Sequence, residues 1–243
     1  MSRTVAIVLY PGFTALDVVG PYEILRMLPD TRVRFVWHEV GPVVADSGVL
    51  VMAATHTFDE TPHPDVIVVS GGSRGVFEQP RDKALMTWLA AASSTAEWTT
   101  SVCFGAVLLA EAGILGEHRA TTHWQGMTML AALGATPARG ERVVVHRDAG
   151  LATAAGVSAG MDLALTLAAE LVEQATAEAI ELAIEYDPDP PFPSGRAADA
   201  SVSTKARATA IIARDGATPS HVAAGSALLW RAALRRLRRA GRA

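Results

Sequence analysis

Two apolar runs, TVAIVLY (Thr4–Tyr10) and DVIVVS (Asp65–Ser70), do most to limit what this chain can become. Both are short and rich in β-branched residues, without the in–out alternation of a strand that has one wet face. Such runs suit strands covered on both sides, which occur in parallel sheets flanked by helices. Each breaks sharply, the first at Pro11-Gly12 and the second at Gly71-Gly72. Further strands are expected at Val33–Val40 and Glu97–Val102. Hairpins are expected around Asp46-Ser47-Gly48 and around Arg147–Gly150. Helical patterns fall at Ala15–Met27, Arg81–Ala92, Thr122–Leu133, Ser158–Leu171 and Thr176–Glu185, with another after Cys103 that Gly113 should end. Thr14 and Asp17 have the spacing of a capping box for the first helix, with Asp in place of Glu or Gln. The alternation predicts an α/β fold with a doubly wound, mostly parallel sheet.

With 243 residues, 50% of them hydrophobic and 19% charged, one compact domain with a substantial core is expected. The net charge of −4 gives no general attraction to nucleic acid. No apolar run approaches the roughly 18 to 20 residues that span a bilayer, and no signal peptide precedes the first strand. A single cysteine forms no internal disulfide and suits a reducing, cytoplasmic setting. Composition shifts late in the chain. Residues 195–243 read as an Ala/Arg-rich helical extension of the domain at 1–194, with six arginines and no acidic residue after Trp230. That end reads as a solvated helix packed on its Leu side, or as a basic tail for an anionic membrane or an acidic partner.

The one thiol stands in TTSVCFGAVLLAEAG (Thr99–Gly113), where a β-rich run meets an apolar helix. Open α/β sheets collect ligands beyond the carboxyl ends of their strands. Three loops should reach that edge, at residues 11–17, 70–75 and 103–105, bringing together Asp17, the Gly71-Gly72 backbone and Cys103. The placement parallels a nucleophile elbow, a tight turn that exposes a side chain at a helix N-terminus. Amides and dipole there are expected to stabilise a thiolate and lower its pKa. The residues alone also allow blander roles. Cys103 could be a small core residue, Asp17 a helix-start carboxylate, and the glycine pair a plain turn.

Five segments together resemble the DJ-1/PfpI superfamily over Thr4–Phe192: YPGFTALDVVGPYEIL, DVIVVSGG, TTSVCFGAVLLAEAGIL, RATTHW and AIEYDPDPPF. They are most similar to its isonitrile hydratase branch and to amidase-like domains fused to AraC-type regulators. A regulator would add a C-terminal helix-turn-helix domain, for which too few residues follow, so a stand-alone enzyme is expected. The resemblance implies a flavodoxin-like sandwich, a homodimer, and Cys103 as nucleophile with Asp17 facing it as proton shuttle. It also implies Gly71 and Gly72 amides lining the pocket of a small-molecule isonitrile substrate, with no metal and no organic cofactor.

Phe104 departs from the branch, which usually carries threonine there, and from PfpI-type proteases, which carry a proton-accepting histidine. A Cys-His dyad at that position is therefore excluded, though the Phe104 amide remains a donor. The ring would narrow the pocket or serve an apolar substrate. His123 borders the pocket on this reading and is the remaining candidate base. Glu23, about two helical turns past Asp17, is not expected to reach the corner. The other histidines (His38, His56, His63, His118, His146 and His221) lack metal-ligand spacing. The expected reaction is isonitrile hydration to a formamide, a lyase activity. The alternatives are a glyoxalase-like or tailoring reaction at the same thiol, and a ligand or redox sensor without turnover.

Overall fold

The computed structural model describes residues 2–73 and 75–216, together with 226, 227, 229, 230 and 233. His221 and most of the arginine-rich end lie outside the described residues. In chain order the elements are β1 (Arg3–Val8), α1 (Ala15–Leu25), β2 (Thr31–Trp37), β3 (Gly41–Val44), β4 (Val51–Ala54), β5 (His56–Thr57), β6 (Val66–Val69), α2 (Lys83–Ser93) and β7 (Trp98–Val102). There follow α3 (Gly105–Glu111), β8 (Arg119–Ala120), α4 (Met127–Ala132), β9 (Thr136–Pro137), β10 (Val143–His146), β11 (Leu151–Ala154), α5 (Ala159–Leu171), α6 (Gln174–Ala183) and α7 (Val202–Gly216).

Seven strands form one sheet in the order β10-β11-β7-β6-β1-β2-β5, parallel except for the β10–β11 hairpin. The two apolar runs lie side by side at its centre, Val5–Val8 paired with Val66–Val69, and all eight residues are fully buried. This is what continuous β-branched runs require: both faces covered by helices. The chain builds β1, β2 and β5 in one direction, then returns to add β6 and β7 on the other side of β1. The order therefore reverses between β1 and β6, and a crevice opens beyond their carboxyl ends.

The hairpin expected around Asp46-Ser47-Gly48 exists as β3–β4, but as a separate two-stranded sheet. Its turn is tied to the β1–α1 loop: Gly12 N–H donates to Val44 O at 2.8 Å and Asp46 N–H to Phe13 O at 2.9 Å. These bonds carry Asp46 and Ser47 to the crevice. On the opposite flank, α5 packs against α1, and Tyr186 after α6 donates to Asp162 Oδ1 of α5 at 3.0 Å. The helix expected over Thr122–Leu133 is shorter. Trp124–Gly126 forms a 3₁₀ turn, and α4 starts only at Met127.

One glycine lets the thiol-bearing corner approach the sheet. A Cβ on Gly105, the first residue of α3, would lie 2.1 Å from Val69 O of β6. Gly105→Ala should therefore destabilise the fold by about 3 kcal/mol, the upper part of the overpacking range. Urea denaturation of the variant beside the wild type measures it; an unchanged midpoint would contradict the close approach.

Candidate active site

Cys103 joins β7 to α3 with φ +57°, in the left-handed region that residues with a Cβ avoid. Three hydrogen bonds hold it there. Its N–H is shared between Ala154 O and Ala155 O, at 3.2 and 2.8 Å, and its carbonyl accepts from Thr122 Oγ1 at 2.6 Å. The turn lifts the side chain beyond the end of β7, where the Phe104 N–H hydrogen-bonds to the sulfur. The residue is only 4% exposed, yet it lines a pocket of about 280 Å³.

Asp17 enters from the first turn of α1 and is completely buried. Its Oδ2 accepts from Gly71 N–H at 2.8 Å; its Oδ1 is enclosed with no hydrogen-bond partner. A Cβ on Gly71 would fall 2.7 Å from that Oδ2, 2.7 Å from Phe104 N and 2.8 Å from Cys103 Cβ. One missing side chain thus leaves room for carboxyl, amide and thiol to meet. The capping box predicted for α1 is not formed. Thr14 makes no side-chain cap and donates instead to Asp46 Oδ2 at 2.6 Å, while the Asp17 carboxylate turns inward. Both groups serve the crevice rather than the helix end.

The electrostatics reverse the expectation of a lowered thiol pKa. Burial, followed by the Asp17 charge, pushes the Cys103 thiol well above its ordinary value, and the Phe104 amide offsets only part of this. Burial likewise raises Asp17 from 3.8 to about 8, although the Gly71 hydrogen bond opposes it. At neutral pH the pair keeps its protons. The Cys103 sulfur is at rest a thiol, not the ionised sulfur that a helix N-terminus alone would favour. His123 is pushed down to about 4 by burial and stays neutral.

The pocket lining is mixed in polarity. Thr14, Asp46, Ser47 and Ser73 supply its polar groups, and Ser73 Oγ also donates to Asp46 Oδ2 at 3.2 Å. Phe104, Val157, Ile211 and Ile212 supply its apolar surface. Among the described residues no group of three or more His, Cys, Asp or Glu could hold a metal ion.

Comparison with known proteins places this geometry. The model of the DJ-1/PfpI family matches residues 3–170. The chain belongs to that family. It is similar to an isonitrile hydratase of Pseudomonas putida, with 41% identity over 220 residues covering 90% of this chain and 92% of that protein. It is 29% identical to an HTH-type transcriptional regulator of Pseudomonas aeruginosa over 70% of this chain but only 51% of the regulator. Among solved structures, a ThiJ/PfpI family protein from Pseudomonas syringae superposes with a TM-score of 0.84 at 33% identity, covering 94% and 91% of the two chains.

Within this DJ-1/PfpI frame the residues singled out in the sequence fall unevenly. Cys103 and Asp17 meet, as expected. Glu23 points away and pairs with Arg26 on the surface. The Gly71 amide, expected to face a substrate, is occupied by Asp17, and Gly72 packs where a Cβ would lie 2.3 Å from Gly12 O. Neither glycine is among the residues lining the pocket; their part is to let the loops close in. His123 does line it, with its ring 5.1 Å from that of Phe104, and its Nδ1 accepts from Gln125 N–H at 3.4 Å. As a neutral ring it offers no positive charge. Asp46 was missed because Asp-Ser-Gly signals only a turn, and Ile211 and Ile212 because they lie in the extension.

The raised Asp17 pKa has a signature in stability. Between about 4 and 8 the folded protein keeps a proton that the unfolded chain has released, so this residue's contribution falls as pH rises through that window. Asp17→Asn retains an acceptor for Gly71 N–H and cannot ionise. Its stability relative to wild type should therefore improve steadily from pH 5 to pH 8 in denaturant titrations. A difference independent of pH would place the ionisation elsewhere.

Proposed function

We propose that this protein is a cofactor-independent lyase that hydrates an isonitrile to an N-substituted formamide. Cys103 acts as nucleophile and Asp17 as proton shuttle. The observation that carries the reading is the thiol–carboxyl pair in which Cys103 lines a partly apolar pocket and the fully buried Asp17 stands behind it. The similarity to the Pseudomonas putida isonitrile hydratase over nearly the whole of both chains supports the choice of substrate.

The chemistry follows from which groups hold protons. The terminal carbon of R–N≡C is electrophilic toward sulfur and must gain a hydrogen as the C–S bond forms. Asp17, protonated at rest, delivers its proton to that carbon while its carboxylate takes up the thiol proton, leaving R–N=CH–S–Cys103. Water adds to this thioimidate carbon. The C–S bond then breaks, the sulfur recovers a proton, and R–NH–CHO departs. The sum is isonitrile plus water giving formamide. The Phe104 amide, already at the sulfur, and the neutral His123 ring border the reacting atoms.

We further propose a homodimer. The outer face of the β3–β4 hairpin exposes Val44, Val49, Leu50 and Val51, with Val49 86% exposed, and Leu16 is exposed at the start of α1. A second copy is the partner that a repeated apolar hairpin suits. A second functional reading, a ligand sensor that turns nothing over, draws support from the partial match to the regulator.

Product analysis separates the two. Purified protein given alkyl and aryl isonitriles should release formamide. Cys103→Ser should abolish release, and Asp17→Asn should slow it by roughly 10²- to 10⁴-fold. A thermal shift with isonitrile but no product would favour the sensor. Formation of lactate from methylglyoxal instead would move the reaction to the glyoxalase type. For assembly, Val49→Asp with Leu50→Asp should convert a dimer to monomer in sedimentation analysis; an unchanged mass would remove the hairpin from the interface.

A further inference from the structure

The wall of the pocket includes a helix that lies beyond the residues matched by the family model. That match ends at residue 170, whereas α7 spans Val202–Gly216. In the sequence VSTKARATAIIARDG the only large aliphatic side chains are Val202 and the consecutive pair Ile211-Ile212. Both isoleucines line the pocket that contains Cys103. Ile211 is nevertheless 56% exposed, an aliphatic surface on the pocket wall that a ligand would cover. The helix is held in place by polar contacts. Gln125 Nε2 donates to Thr209 Oγ1 at 3.1 Å, beside the turn that carries His123, and Arg196 Nη2 donates to Gly140 O at 2.9 Å before the helix begins. A polar helix therefore sets its two adjacent isoleucines against the opening above the thiol.

Resting on the isonitrile reading, we infer that Ile211 and Ile212 are specificity-determining residues, receiving the apolar substituent of the substrate together with Phe104 and Val157. An isonitrile is linear through C, N and the first substituent atom. With its terminal carbon at the Cys103 sulfur, the substituent must project up the pocket, away from the buried Asp17. Of the lining residues there, Thr14, Asp46, Ser47 and Ser73 are polar, and the apolar surface comes from Phe104, Val157, Ile211 and Ile212. Compact branched or cyclic hydrocarbon groups fit a pocket of this size, and an anionic substituent would face Asp46 across it.

The test uses the full chain with Ile211→Ala and Ile212→Ala combined. Alanine raises helix propensity, so α7 is not weakened by the change itself. Two measurements are made on wild type and variant. The first is the ratio of kcat/KM for cyclohexyl isonitrile to that for isocyanoacetate. The second is the ratio of Cys103 alkylation rates by N-cyclohexylmaleimide and by unsubstituted maleimide, read by intact-protein mass. Both ratios should fall by about tenfold in the variant, the size of effect that a few methylene contacts produce in an apolar pocket. Thr209→Val, which removes only the bond to Gln125, should move both ratios in the same direction by less. If wild type hydrates neither isonitrile, the reaction assignment fails, and the alkylation ratio still decides the role of α7. Unchanged ratios in the double variant would overturn the inference whatever the reaction.

Discussion

A residue with a side chain placed at φ +57° crowds its own Cβ against the following carbonyl, at a cost of roughly 1–2 kcal/mol, and Cys103 adopts that conformation. The surroundings impose it. The strand before it is paired on both sides, the helix after it is buried along Gly105–Ala110, and backbone bonds from Ala154 and Ala155 with the Thr122 hydroxyl hold the turn between them. Relaxing the torsion would unseat α3 from the end of β6. The sulfur therefore stands at the carboxyl edge because the packed core leaves the turn no other shape. Strain over-determined by its neighbours in this way is the usual mark of a functional corner.

The same burial that holds the turn governs the protons. A helix N-terminus favours a thiolate only while its effect exceeds the cost of taking charge out of water. Here α3 is inside the molecule and a second acid, Asp17, lies beside the sulfur, so desolvation opposes ionisation of both groups and the Asp17 charge further opposes that of the thiol. The two groups titrate as a pair, and either can lose a proton only with the other's compliance. Chemistry that moves one proton from sulfur to carbon through a carboxyl suits such a site better than chemistry that needs a standing anion.

Much of this was legible in the sequence, for identifiable reasons. The β-branched runs, both hairpins and the strand–Cys–helix corner are local patterns whose periodicity or turn residues state their structure directly. Asp17 was legible as a partner of Cys103 through its place in the first crossover loop. The capping box failed because Thr14 and Asp17 have the right spacing for one role and are used for another, and no local rule distinguishes the two. The lowered thiol pKa failed because burial is a property of the whole fold. Asp46, carried in by a hairpin outside the main sheet, and Ile211-Ile212, carried in by a helix past the matched segment, depend on contacts across 27 or more residues. Nothing near them in the chain announces those contacts.

Phe104 was read as an anomaly in its own right, and the structure shows what accommodates it. Its ring lies against Phe77 and His123, and a Cβ on Gly126 would come within 2.9 Å of the ring edge. The bulk at position 104 and the emptiness at position 126 form one volume shared between two helix starts. A side chain at 126 would therefore have to displace the Phe104 ring. A smaller residue at 104 alone would leave a hollow beside the thiol, so neither position can be altered without regard to the other although 22 residues of chain separate them.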